Sequence, residues 1–132
     1  MHVLVTEQNA GQGKDLALRL RYLGCRVSTC HDGSTDVCKG VVPGGCPLEG
    51  RQPADMVVDV RGGREFTARE YGAVCGLRAG LPVVLTGLDW LDKPPVPDGL
   101  LHHVSAVRSN ALLVGCIDAL RDEKIVNERE AR

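Results

Sequence analysis

The sequence predicts a doubly wound α/β domain, with one five-stranded parallel sheet between two layers of helix. Three observations carry this. Short apolar segments of strand length alternate with segments of helical periodicity. The strand segments read as continuous apolar runs, the pattern of strands buried on both faces. The chain has 132 residues, 43% of them apolar, which suits one domain with one core.

The elements follow in order. His2 to Thr6 (HVLVT) is the first strand, closed by the polar loop Glu7-Gln8-Asn9-Ala10-Gly11. Lys14 to Leu23 places leucines at 16, 20 and 23, a helical spacing, and Gly24 supplies the stop. Cys25 to Cys30 is the second strand and Ala54 to Val60 (ADMVVDV) the third. Thr67 to Ala79 predicts a helix with Tyr71, Val74 and Leu77 as its apolar face and Gly80 as its stop. Leu81 to Thr86 is the fourth strand, and the proline-rich stretch 87–100 reads as loop. Val104 to Arg108 is the fifth strand. Ala111 to Arg121 is a last helix with Leu113, Cys116, Ile117 and Leu120 on one face. The charged tail, 122–132, is expected to fray. No linker or internal repeat divides the chain, so residues 1–132 form one domain.

Composition narrows the function. Lys plus Arg is 16 and Asp plus Glu is 17, so net charge drives no nucleic-acid surface. The first residues, MHVLVTEQNA, lack a secretory pattern, and no apolar run reaches the roughly 20 residues of a membrane span. The expectation is a cytoplasmic protein without membrane association. Six cysteines in a reducing compartment favour metal binding, redox sensing or plain burial over structural disulfides. Nucleotide motifs fail. A P-loop needs glycine where Gln8 stands and a hydroxyl residue where Asp15 follows Gly13-Lys14, and the dinucleotide fingerprint is broken by Leu16. No catalytic constellation emerges, and the chain is read as a non-enzyme.

The strand ends carry a pattern. HVLVTEQN ends in an acidic pair position, VSTCHDGSTDV is a second strand followed by glycine, ADMVVDVRGG is a strand with an aspartate near its end, LPVVLTG ends in a hydroxyl residue, and VSAVRSN carries a cation. In this order they resemble the receiver domain of two-component response regulators, over most of residues 2–121. The resemblance implies a flavodoxin-like three-layer fold and a signalling or adaptor module working through a protein partner, with a second copy of the chain as one such partner. It implies a phosphoacceptor-like pocket made of Glu7, Gln8, Asp59, Thr86 and Arg108. Receiver chemistry needs two carboxylates for Mg²⁺, an aspartate to take the phosphoryl group, a hydroxyl and a lysine. Gln8 replaces one metal carboxylate and Arg108 replaces the lysine, so the expectation is a degenerate pseudo-receiver with weakened Mg²⁺ binding.

Cysteine supplies the alternative. On the receiver pattern Cys30 ends the second strand, residues 34–42 take the place of the second helix with Cys38 within it, and Cys46 lies in the loop VVPGGCPLEG. Three thiols, Cys30, Cys38 and Cys46, then converge at one sheet edge. His31 or Cys75 is the candidate fourth ligand, for zinc or an iron–sulfur cluster. Cys25 stands about 16 Å along the strand from Cys30 and is read as a core residue. Cys116 and Cys75 are read as core residues as well. No Cys-x2-Cys knuckle is present, so plain packing of the thiols and a thiol switch stand beside the metal reading.

Overall fold

A computed structural model describes residues 1–130. It contains five parallel strands: β1 (His2–Glu7), β2 (Arg26–Thr29), β3 (Met56–Val60), β4 (Val83–Thr86) and β5 (Ser105–Val107). Their order in the sheet is β2-β1-β3-β4-β5. Three α-helices accompany them: α1 (Lys14–Tyr22) between β1 and β2, α2 (Tyr71–Arg78) between β3 and β4, and α3 (Ser109–Glu130) after β5. The expected five-stranded doubly wound sheet is therefore present.

Strand alternation sorts the apolar residues into two layers. Val3, Val5, Val58 and Val60 face one side and pack with Leu16 and Leu20 of α1 and Leu112 and Cys116 of α3. Leu4, Val57, Val83 and Leu85 face the other side and pack with Cys30, Ala54 and Ala73 of α2. Cys25 joins the first layer, so Cys25 and Cys116 are core cysteines. Gly24 and Gly80 follow the last residues of α1 and α2 with φ of 102° and 77°, the left-handed conformation that closes a helix and that side chains resist.

Four details differ from the sequence expectation. No helix occupies residues 34–42. A single 3₁₀ turn, Lys39–Val41, is the one regular element there, because glycines at 33, 40, 44 and 45 and Pro43 give a helix neither propensity nor a continuous apolar stripe. Helix α2 buries Gly72, Ala73 and Gly76, while Tyr71 is 59% exposed. Cys75, read as a core residue, is exposed. Finally, α3 runs on to Glu130, since its Glu, Lys and Arg residues are strong helix formers. The last two residues of the tail lie outside the described residues.

Candidate functional site

The carboxyl edge of the sheet starts with Glu7 and Gln8, which end β1. The Glu7 carboxylate is consumed locally. Its oxygens accept from the Gly11 amide at 2.9 Å and the Gly13 amide at 2.7 Å, the turn that leads into α1, and from Arg69 Nη2 at 3.2 Å. Gln8 is buried and joins β1 to the β3–α2 loop. Its Oε1 accepts from the amides of Gly62 (3.1 Å) and Gly63 (2.9 Å), while its Nε2 donates to the Glu65 carbonyl at 2.6 Å. Thr67 Oγ1 donates to the Gln8 carbonyl. These contacts need a donor and an acceptor on one side chain, so an amide fits here and an ionised carboxylate does not.

Asp59 lies one residue before the end of β3, opposite Thr6 and Leu85, and is wholly buried. Thr6 Oγ1 donates to its Oδ1 at 2.8 Å. Its Oδ2 has no hydrogen-bond partner; Arg61 Nε stands 3.8 Å away. Burial pushes the Asp59 pKa up to about 9, helped by the neighbouring Glu70 and opposed by Thr6 and Arg61. Burial therefore disfavours the ionised form of this carboxyl.

The position that does reach the edge is Arg61, also wholly buried. Its Nε donates to Glu70 Oε2 at 2.9 Å, Nη1 to the Pro95 carbonyl at 2.8 Å and Nη2 to the Glu65 carbonyl at 2.7 Å. Glu70 Oε1 accepts from the Thr67 amide, closing a capping box. Arg61 and Glu70 were not singled out from sequence, although signals existed. An arginine directly after an apolar strand demands a partner, and Thr67-Ala68-Arg69-Glu70 is a legible capping box.

Thr86 and Arg108 do not join Asp59. Thr86 follows the parity of Val84 and so faces the α1/α3 layer, where its hydroxyl shares a 2.8 Å hydrogen bond with Ser109 at the start of α3. Asp59 follows the parity of Val57 and faces α2. Arg108 is exposed and donates to the Leu91 carbonyl at 2.7 Å. Glu7, Gln8, Asp59, Thr86 and Arg108 thus each have separate hydrogen-bond partners, and of the two cavities at this edge one is lined by Glu7 and the other by Gln8.

The cysteines behave differently. Cys30 follows β2 and is buried, with its thiol against α2: a β-carbon placed on Gly72 would lie 2.6 Å from Cys30 Sγ. Cys75 stands three residues further along that helix. Cys38 precedes the 3₁₀ turn, its sulfur accepting from the Gly40 amide at 3.3 Å. Cys38 Sγ and Cys46 Cβ flank one point, each 3.5 Å from where a Gly40 β-carbon would sit. The Lys39 amide donates to the Cys30 carbonyl at 2.8 Å, which folds the Cys38 turn back onto the end of β2. Burial pushes the Cys30 thiol up to about 12, and Cys38, Cys46 and Cys75 all add to that, with Lys39 opposing. Cys75 is raised by burial and then by Cys46 and Cys38, with Arg78 opposing. Cys38 and Cys46 thus act on both Cys30 and Cys75. His31 has its Nδ1 3.1 Å from the Val37 carbonyl. Among the described residues no group of three or more His, Cys, Asp or Glu side chains is placed to hold a metal ion.

Strand order and layering define the class: the chain is a flavodoxin-like α/β protein. No protein-family model matches it, and no curated protein matches it. Among the described residues no helix is long and apolar enough to cross a membrane.

Proposed function

We propose that this protein is a non-enzymatic regulatory module of receiver-like architecture that acts through a protein partner. Its input would be a zinc ion or iron–sulfur cluster held by Cys30, Cys38, Cys46 and Cys75, in place of a phosphoryl group. What supports the reading is that Cys38 and Cys46 flank the same glycine, while Cys30 packs against the helix that carries Cys75. Three physical arguments support it.

First, the connection from β2 to β3 is long, and one 3₁₀ turn is its sole regular element. Val37, Val41 and Val42 on it are exposed, so its middle is ordered mainly by hydrogen bonds, and a tetrathiolate centre would add a crosslink there. Second, four thiolates around a divalent ion carry net negative charge, and Lys39 and Arg78 stand where they offset it at Cys30 and Cys75. Third, burial raises the Cys30 and Cys75 thiols, which disfavours a reactive switch at those two positions, since such switches depend on a lowered pKa. A metal displaces those protons on binding, as ligand thiolates require. The dispersal of the phosphoacceptor-like residues favours an input other than phosphorylation.

Anaerobic purification followed by metal analysis and an absorbance spectrum tests the proposal. The expected result is about one zinc per chain, or iron and sulfide with a broad visible absorbance. Simultaneous Cys38→Ser and Cys46→Ser substitution should abolish the metal. Metal-free protein whose thermal stability is unchanged by chelator overturns the centre. A mass increase of one phosphoryl group on incubation with acetyl phosphate, lost in Asp59→Asn, overturns the non-phosphorylated reading.

A further inference from the structure

A cavity of about 490 Å³ opens at the carboxyl ends of β1 and β2, between α1 and the segment that follows β2. It takes no part in the thiol reading beyond sharing Cys30 on its wall. Its size falls in the usual small-molecule range, and the carboxyl ends of parallel strands are where such sheets bind ligands. Ala17 and Leu18 give it an apolar wall, Ser34 contributes a hydroxyl, and Lys14, Arg21 and Arg69 bring three cations to it.

The charges are unequally committed. Arg69 is nine-tenths buried and serves as a clamp: Nη1 donates to the Thr35 carbonyl at 2.9 Å, and Nη2 to the Gly33 carbonyl at 2.9 Å and to Glu7 at 3.2 Å. It holds the 33–36 segment over the cavity and neutralises Glu7, the one carboxylate on the wall. Lys14 and Arg21 have no carboxylate within ion-pair distance among the described residues. They lie seven positions apart, two turns of α1, and so share a face of the helix along the cavity. The result is an apolar pocket rimmed by two unneutralised cations on a rigid element.

We propose that this cavity binds a small amphiphilic anion, a molecule with an apolar or aromatic body and a phosphate, sulfonate or carboxylate group. Lys14 and Arg21 take the anionic group, while Ala17 and Leu18 cover the body. Ser34 closes the outer wall and offers a hydrogen bond.

The probe pair 1-anilinonaphthalene-8-sulfonate and the uncharged N-phenyl-1-naphthylamine tests this, because the two share a body and differ in the anion. The folded protein should bind the sulfonate at one site per chain. Binding should be at least tenfold weaker for the uncharged probe and for the double variant Lys14→Ala with Arg21→Ala, and it should be blocked by Ser34→Trp. All three positions are exposed, so the variants should keep the wild-type circular dichroism spectrum. Amide chemical shifts should move in residues 29–34 and in α1. Equal affinity for both probes, unchanged affinity in the variants, or shifts concentrated at the exposed Val114 and Ile117 of α3 would each overturn the proposal.

Discussion

At the residue scale the centre of the molecule is a buried polar knot, Thr6, Asp59, Arg61 and Glu70, set in otherwise apolar strands. Arg61 is fully desolvated but keeps one carboxylate and two carbonyls as partners, which is the condition for a buried cation to be tolerated. Removing Glu70 strands that cation. Glu70→Ala should cost about 3–5 kcal/mol of folding stability, with Glu70→Gln milder because it still accepts from Arg61; urea denaturation measures both. Asp59 makes the opposite prediction. Its folded pKa is raised from 3.8 to about 9, so the stability tied to its proton is complete below the lower value and is lost as pH rises through the upper one. Stability should therefore fall between about pH 4 and pH 9. Asp59→Asn, which stays neutral and can still accept from Thr6, should flatten that slope and match or exceed the wild type at pH 8. An unchanged slope would mean that Asp59 is ionised in the fold.

At the element scale, α2 lies close to the sheet because Gly72 and Gly76 have no β-carbon to hold it off. A methyl on Gly76 would lie 2.5 Å from Val57 Cγ2, and one on Gly72 would lie 2.6 Å from both Cys30 Sγ and Thr6 Cγ2. Gly76→Ala should cost about 1–3 kcal/mol by overpacking, and Val57→Ala in the same chain should recover part of it, a coupling that a double-mutant cycle reads. This helix also shows how far the sequence could be read. Its place and length were legible from Thr67, the periodic apolar residues and Gly80. Its buried face was not, because a periodicity search rewards large residues such as Tyr71 while the close approach selects small ones. The facing of Asp59 was not legible for a related reason. An aspartate near the end of an apolar run reads as a strand-edge carboxylate, and only strand register shows that Arg61 reaches the edge and that Asp59 and Thr86 face opposite layers. The β2–β3 connection was legible as a place for cysteines but not as irregular chain, since the family pattern supplied a helix that these glycines do not support.

At the scale of the whole molecule, five short strands and three helices build the core, whereas the segment between Cys30 and Asp55 is anchored in it mainly by its ends and Leu48. If a metal centre orders it, chelation should loosen that segment and leave the sheet intact. Hydrogen exchange should then rise across residues 30–54 and stay unchanged in β1, β3 and β4. Metal affinity should weaken as pH falls, because protons compete for the four thiols. The most direct measurement of the central claim is X-ray absorption at the zinc or iron edge on anaerobically purified protein. The account predicts sulfur-only coordination, four zinc–sulfur contacts at about 2.3 Å or the sulfur shell of an iron–sulfur cluster, lost when Cys75 is changed to Ser. A first shell of nitrogen and oxygen, or coordination that survives Cys75→Ser unchanged, would contradict it.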